Sequence, residues 1–226
     1  SALGNIDNGG STRAKNTSIA FSGSSLKVTG NIHGTDNLVI QSVKDKALSS
    51  GEISNSGTLK GGNVTIQTNG TLALNRDSKI LASNILTTNS NWLNNDGGTV
   101  RGDSAVFNFN NNAMQNSGEI IGGTINISTH SDLVNKWIME SFGDFTIDTH
   151  NKGNIINRDK IVAGGTMTLN AKQVVNGGYK CGFLKLFTCD AGLLSGNKLV
   201  LNTSQRYASE VGGEQYFKLT EVNTTK

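Results

Sequence analysis

The stretch NSGTLKGGNVTIQTNG (residues 55–70) returns 61 residues later as NSGEIIGGTINISTHS (residues 116–131). Both copies contain an Asn, a glycine pair and then a run in which apolar and polar residues alternate. Such a run is typical of a strand with one buried face, and the glycines before it indicate a turn. A phrase that a chain repeats in this way predicts a repeat architecture.

An Asn that follows apolar residues recurs through the middle of the chain, in steps of 20, 20, 21, 19, 22 and 19 residues. A constant period of about 20 residues is the mark of a solenoid, in which one unit stacks on the next. We expect the side-chain amides of these residues to form an outer or corner ladder from coil to coil, because an amide offers both donors and an acceptor. The recurring positions are Asn55, Asn75, Asn95, Asn116, Asn135, Asn157 and Asn176.

The alternating runs favour strands stacked in parallel over a helical repeat. They predict an all-β fold, a right-handed single-stranded parallel β-helix of about 20 residues per coil and roughly ten coils. At a strand spacing of ~4.8 Å, ten coils form a rod about 45–50 Å long. The residues predicted to point inward are Val64 and Ile66, Val106 and Phe109, Ile125 and Ile127, Phe145 and Ile147, and Met167 and Leu169.

We expect residues 1–226 to be a single β-helix fragment of a longer chain. Within it, residues 1–54 are expected to be less regular coils with an insertion near residues 43–50. The clean repeats follow at 55–177, a loop containing both cysteines is inserted at 178–192, and terminal coils occupy 193–226.

Charge and composition exclude several functions. The net charge is only +3, and no block of Lys and Arg is present, so we expect no nucleic-acid partner. The apolar runs are far too short for a membrane span. The 17 acidic residues are scattered. We therefore expect no catalytic residue, no cofactor and no metal, although a polysaccharide-active β-helix enzyme is a minor alternative.

The two cysteines, Cys181 and Cys189, lie eight residues apart. A metal site usually needs four ligands, and His33, His130 and His150 are all distant in sequence. A local disulfide is the favoured interpretation, and it would indicate an oxidising, extracytoplasmic setting. The alternative is two reduced thiols that do not meet.

The repeated phrase, Asn-x-Gly-x-(Ile/Leu)-x-Gly-Gly-x-apolar-x-apolar, resembles the repeats of filamentous haemagglutinin and related two-partner-secretion exoproteins. The resemblance covers roughly residues 50–204. It implies a right-handed parallel β-helix from the shaft of a secreted Gram-negative surface protein, exported with an outer-membrane transporter partner. Such shafts serve adhesins, haemolysins and contact-dependent growth inhibition exoproteins, and the last of these deliver a C-terminal toxin. The Asn-Pro-Asn motifs of the family's secretion domain are absent, because the chain contains no Pro.

The repeat is broken after Asn176 by about a dozen extra residues, within GGYKCGFLKLFTCDA (177–191). An exposed apolar loop on a solenoid is a candidate interface. The alternative is that its aromatic side chains fold over a seam or an end of the rod. The candidate receptor-binding residues are Tyr179, Lys180, Phe183, Leu184, Lys185, Leu186 and Phe187.

A second irregular stretch is SDLVNKWIMESFGDF (131–145), which lacks the glycine pair. Its Trp137, Ile138, Met139 and Phe142 are bulkier than their counterparts in other coils. Two interpretations remain open, a locally thicker core and an aromatic patch on the surface.

We thus expect a secreted, surface-exposed segment that mediates cell–cell contact by recognising a target-cell component, either an outer-membrane protein or a glycan. The alternative is a structural spacer with no ligand of its own.

Overall fold

The computed structural model describes residues 6–44, 47–109, 113–177, 179–181, 187–189, 192–204, 208–209 and 214–224. It confirms the predicted fold class: the chain is a β-solenoid of parallel stacked coils, with 73% strand. The solenoid has about 9 turns of about 21 residues, close to the predicted ten coils of 20.

The strands of the described residues are, in chain order, β1 (Ile6–Asn8), β2 (Ser11–Phe21), β3 (Ser25–Val28), β4 (Asn31–Lys44), β5 (Ala47–Leu48), β6 (Glu52–Asn55), β7 (Thr58–Gln67), β8 (Thr71–Leu74), β9 (Lys79–Ala82), β10 (Ile85–Ser90), β11 (Trp92–Asn95), β12 (Thr99–Phe109), β13 (Met114–Asn116), β14 (Glu119–Thr129), β15 (Leu133–Asn135), β16 (Ile138–Ser141), β17 (Phe145–Asp148), β18 (Asn154–Asn157), β19 (Lys160–Ala163), β20 (Thr166–Ala171), β21 (Gln173–Asn176), β22 (Tyr179–Cys181), β23 (Phe187–Cys189), β24 (Leu193–Thr203), β25 (Ala208–Ser209) and β26 (Glu214–Thr224).

Two large sheets run the length of the solenoid. The ten-stranded sheet, the first face, has the order β1-β3-β6-β8-β11-β13-β15-β18-β21-β25. All of its pairings are parallel, and each strand pairs with the strand one coil further on. The fourteen-stranded sheet contains β16-β19-β24-β20-β17-β14-β12-β10-β7-β4-β2, with β26, β5 and β9 attached.

The fourteen-stranded sheet bends and forms two further faces. Along β12, Val100 and Gly102 are buried, and then Ala105 and Phe107 are buried, so the inward positions shift by one residue between them. Because side chains alternate along a strand, this shift keeps apolar residues inside only if the backbone turns there. In some coils the strand breaks at this corner. The segments equivalent to β9, β16 and β19 form the second face, and those equivalent to β10, β17 and β20 form the third face.

The interior consists of columns of aligned side chains. One column on the third face is fully buried, and its members pair in register from coil to coil: Val64, Leu86, Ala105, Ile125, Phe145, Met167 and Leu199. The prediction that Val106 points inward is wrong, since Val106 is half-buried and its neighbours Ala105 and Phe107 face the core. Phe109, predicted to face inward together with Val106, is buried; the two residues are three positions apart and so lie on opposite faces of the strand.

A second column, the Asn ladder, lies inside the first face at the ends of its strands, whereas we expected an outer or corner ladder. Each of its side chains is fully buried. The amide of each residue donates to the side-chain oxygen of the next across 2.8–2.9 Å. Stacked amides therefore meet their hydrogen-bonding needs within the core, where an unpaired amide would be costly. The members of the Asn ladder are Asn95, Asn116, Asn135, Asn157 and Asn176.

Asn55 occupies the same column two coils earlier, but Asn75 does not belong to it. The register aligns Asn55 with Leu74 and Leu74 with Asn95. Leu74 is buried, whereas Asn75 is exposed and donates to Ser56 Oγ at 2.7 Å. The expectation for Asn75 is therefore corrected by one position, and the amide of Asn55 turns to the carbonyl of Lys79 at 3.2 Å instead.

Two insertions leave the coils as antiparallel excursions. Near residues 43–50, Val43 pairs with Leu48 and Lys44 with Ala47, while β4 and β7 remain in parallel register. After β21, the strands β22 and β23 form a hairpin of their own, and β24 then resumes pairing with β19 and β20. The coils of residues 6–55 join the same two sheets as the later coils.

Candidate functional site

One coil exposes an aromatic side chain immediately before a strand and another immediately after it. We call residues 137–142 the aromatic coil. Trp137 precedes β16 and is 48% exposed, and Phe142 follows β16 and is 72% exposed. Of the two interpretations left open for this stretch, the structure favours the surface patch, because only Met139 of the four bulky residues is fully buried and Ile138 is half-buried.

The backbone of the aromatic coil is held in place at both ends. The amide of Asn135 donates to the Trp137 carbonyl at 2.6 Å, and the Lys160 main-chain N–H donates to the same carbonyl at 3.2 Å. At the other end, the Phe142 N–H donates to the Gly122 carbonyl at 2.9 Å. The inward residues Met139 and Ser141 fix the phase of β16 between these ends. The two aromatic rings are therefore carried by an ordered scaffold.

Each aromatic ring forms the wall of a shallow groove. The Phe142 groove has a volume of about 290 Å³ and is lined by Ala82, Arg101, Gly102, Asp103, Ile121, Gly122, Gly123 and Phe142. The Trp137 groove has a volume of about 310 Å³ and is lined by Arg76, Gly97, Thr99, Ser117, Gly118, Glu119 and Trp137. Both grooves contain glycines at which a Cβ would meet atoms of a neighbouring coil or strand within 3.1 Å, namely Gly102, Gly118, Gly122 and Gly123. These glycines let the coils pack closely and place backbone along the grooves.

The two grooves lie on the same four coils, one on each edge of the second face. Between them, the outward residues of β12, β14 and β16 combine aliphatic and charged side chains. Arg101 and Glu119 form an ion pair at 3.7 Å, and Lys160 donates to Glu140 at 3.0 Å. Both pairs are partly exposed, so they contribute little to stability, but they leave this face close to electrical neutrality.

The sequence Arg101-Gly102-Asp103 lines the Phe142 groove as part of a strand. Gly102 is buried and shares an inward position with Ala82 and Gly122 in neighbouring coils, so this glycine belongs to the scaffold.

Within the predicted inserted loop, the described strands β22 and β23 pair antiparallel. Tyr179 pairs with Cys189, Lys180 with Thr188 and Cys181 with Phe187. The two cysteines are thus diagonal neighbours in the hairpin and not directly opposed. Diagonal pairs in an antiparallel ladder are separated by about 7–8 Å, wider than the usual Cα separation across a disulfide.

The side chains of this hairpin are outside the described part of the structure. For Tyr179, Lys180, Cys181, Phe187 and Cys189 the structure describes the backbone alone. The candidate receptor-binding residues Phe183, Leu184, Lys185 and Leu186 lie outside the described residues altogether. No disulfide is recorded in the portion that the structure describes, and the disulfide between Cys181 and Cys189 stays a prediction.

A Ser, a His and an Asp meet on the third face, an arrangement that the sequence analysis missed. Ser128 Oγ lies 2.9 Å from His150 Nε2, and His150 Nδ1 lies 3.6 Å from Asp148 Oδ2. The atoms follow the order of a nucleophilic triad, but 3.6 Å is too long for a hydrogen bond. Asp148 Oδ1 instead accepts from the main-chain N–H of His150 at 2.6 Å.

The same cluster stabilises a corner of the solenoid. His150 and Asn151 both have positive φ, 51° and 57°, and the ring of His130 stacks on that of His150 at 4.4 Å. Asp148 and Ser128 occupy the outward column that holds paired amides in other coils, such as Asn89 and Asn108. We therefore interpret the cluster as a turn with a link between coils.

Within the described ranges, no group of three or more His, Cys, Asp or Glu residues is arranged to hold a metal ion. Among the same residues, no helix has the length and apolar character needed to cross a membrane. Comparisons of the chain with protein-family models, with curated proteins and with solved structures found no match.

Proposed function

We propose that this chain is a surface-exposed shaft segment of a secreted bacterial exoprotein, and that it mediates cell–cell contact by recognising a component of a target cell. The aromatic coil carries this proposal. A solenoid needs small or polar residues at its corners, and stacking does not account for a Trp and a Phe that are about half or more exposed on one coil. Trp is also the residue most enriched among those that dominate binding energy.

The hairpin after β21 provides a second reason. It adds no strand to either large sheet, because β24 resumes the parallel register beyond it. Strands that join neither large sheet are a natural place for recognition, as binding residues concentrate on segments held by a rigid scaffold.

The resemblance of the repeats to those of filamentous haemagglutinin supports the cellular setting. We propose that the parent protein is exported by an outer-membrane transporter partner and displayed at the bacterial surface, as an adhesin or as a contact-dependent inhibition exoprotein that delivers a toxin. We further propose that this segment binds and does not catalyse, since the Ser128–His150–Asp148 contacts are those of a turn.

A structural spacer is the second candidate. The continuous Asn ladder and the columns of aligned core residues favour it, because they make a regular rod that needs no ligand. The two candidates differ in one measurable respect: only the receptor-recognition segment binds cells by itself.

The proposal is tested by binding the purified, fluorescently labelled chain to candidate target bacteria. The double variant Trp137→Ser and Phe142→Ser is expected to lose most of the cell labelling, about tenfold or more, since residues that anchor an interface each contribute about 2 kcal/mol or more. Its fold should be unaffected, because both side chains are exposed. Circular dichroism and the thermal midpoint check this.

The matched control is Val222→Ser, which removes a side chain that is 53% exposed on the last described coil, far from the grooves. We expect it to label cells as the unchanged chain does. If the unchanged chain labels no cells and does not compete with the parent protein, the spacer is the correct function. If the double variant and Val222→Ser label equally well, recognition does not use the aromatic coil.

A further inference from the structure

The two grooves flank the second face on the same coils. Both lie on the coils that contain β9, β12, β14 and β16, and both end at a ring of the aromatic coil. Four coils span about 14 Å along the rod at ~4.8 Å per step, and a four-residue strand about 13 Å across it. This area is far below the ~800 Å² that each partner contributes to a typical protein–protein interface. The site is therefore sized for a slender ligand.

The charges that line the grooves cancel. The Phe142 groove contains Arg101 and Asp103, and the Trp137 groove contains Arg76 and Glu119. One cation and one carboxylate in each groove leave its lining without net charge, which does not favour an anionic polymer, a lipid headgroup or a nucleic acid. The same groups supply several hydrogen-bond donors and acceptors in planar arrays.

An aromatic wall, a lining that includes glycine backbone, and balanced polar groups are complementary to one class of ligand. A pyranose ring presents C–H groups on its faces and hydroxyl groups around its edge. The electron-rich face of Trp or Phe attracts those C–H groups, and guanidinium and carboxylate groups bond hydroxyls on neighbouring carbons. The glycine backbone within the lining lets the ring approach closely and also offers carbonyl acceptors at a corner.

We propose that the second face of this solenoid binds a neutral saccharide chain, with sugar rings stacked on Trp137 and Phe142 and hydroxyl groups bonded by the Arg and acidic residues of the two grooves. This inference rests on the proposed recognition function and names the chemical class of its ligand. The ligand's sugar units lie across the rod, parallel to β16, because Trp137 and Phe142 flank the two ends of that strand.

The experiment uses the full 226-residue chain carrying Trp92→Phe, so that Trp137 is the single source of Trp fluorescence. The probes are neutral oligomers of glucose, galactose, mannose and N-acetylglucosamine, with a sulfated oligomer for comparison. We expect at least one neutral oligomer to shift the Trp137 emission to shorter wavelength in a saturable manner. The sulfated oligomer is expected to bind more weakly, since the grooves have no net positive charge.

Conservative variants separate stacking from general apolar contact. Phe142→Tyr keeps an aromatic face and is expected to keep the affinity within about threefold, whereas Phe142→Leu is expected to weaken it about fivefold to tenfold. At position 137, Trp137→Leu is expected to weaken the affinity more than Trp137→Phe does, with binding measured by titration calorimetry. Val222→Ala, an exposed apolar position on a remote coil, is the control with no expected change.

Several outcomes overturn the saccharide site. One is the absence of binding by every neutral oligomer at millimolar concentration, and another is preference for the sulfated oligomer. A third is cell labelling that depends on Trp137 but is abolished by protease treatment of the cells, which makes the partner a protein. In each of these cases labelling of cells by the unchanged chain leaves the proposed recognition function standing. If the unchanged chain binds a neutral oligomer but labels no cells, the proposed recognition function is overturned and the saccharide site stands.

Discussion

Phe145→Ala is expected to lower the free energy of unfolding by about 3–5 kcal/mol, whereas Phe142→Ala is expected to change it by less than about 0.5 kcal/mol. The two residues are three positions apart in the same stretch of sequence. Phe145 is fully buried and aligns with Ile125 and Met167 in the coils on either side, while Phe142 is 72% exposed. Truncating Phe145 therefore removes contacts with three coils and leaves a cavity, and truncating Phe142 removes neither.

Urea unfolding, followed by circular dichroism, measures both variants against the unchanged chain. Because coils interact mainly with their neighbours, the loss in Phe145→Ala should also be local. Amide hydrogen exchange is expected to quicken first in β14, β17 and β20, which flank the new cavity. Equal destabilisation by the two variants would contradict the burial of Phe145 and the exposure of Phe142, and with it the surface patch on which the proposed function depends.

The fold could be predicted from the sequence because its period is a property of the chain. The recurring Asn and the alternating runs return about every 20 residues, and stacking at a fixed rise translates that spacing into coils. The structure aligns Leu93 with Met114 and Met114 with Leu133, steps of 21 and 19 residues. These steps equal the sequence steps between the Asn residues that follow them.

The direction in which individual side chains point was harder to predict from the sequence. Between Ala105 and Phe109, apolar residues occupy both faces of the strand, with Val106 on one face and Ala105, Phe107 and Phe109 on the other. Apolar character alone does not tell which face is turned to the core. At Asn75, the Leu before it satisfies the buried position just as well, and the polar residue moves to the surface. In both cases a shift of one residue reverses inside and outside, and only contacts with neighbouring coils decide between them.

The candidate site was partly predictable. The loss of the glycine pair and the bulky residues marked the aromatic coil as unusual, but sequence could not tell whether Trp137 and Phe142 face the core or the solvent. The grooves depend on glycines from the coils before, such as Gly118 and Gly123, and on their alignment with the two rings. The Ser128–His150 contact was inaccessible for a similar reason, since it joins residues 22 apart through a turn with positive φ.

The buried amides of the Asn ladder make the second large prediction. Asn116→Ala is expected to lower the free energy of unfolding by about 2–4 kcal/mol. Asn116 accepts from the amide of Asn95 at 2.8 Å and donates to Asn135 Oδ1 at 2.9 Å and to the Gly118 carbonyl at 2.8 Å. Alanine leaves these buried partners without their bonds, and each unsatisfied polar group in the core is penalised by about 1–3 kcal/mol.

Asn75→Ala is the matched control, because it removes the same side chain from an exposed position that donates to Ser56 Oγ. Its expected effect is below about 1 kcal/mol, since water replaces the lost bonds. Asn116→Asp keeps the size of the side chain but loses the bonds that the amide donates, and we expect it to cost at least as much as Asn116→Ala. Urea unfolding of the three variants distinguishes hydrogen bonding from packing. If Asn116→Asp is nearly neutral while Asn116→Ala is costly, packing and not the amide chain stabilises the first face. If Asn75→Ala and Asn116→Ala lower the free energy of unfolding by similar amounts, burial gives these amides no special role in holding one coil to the next.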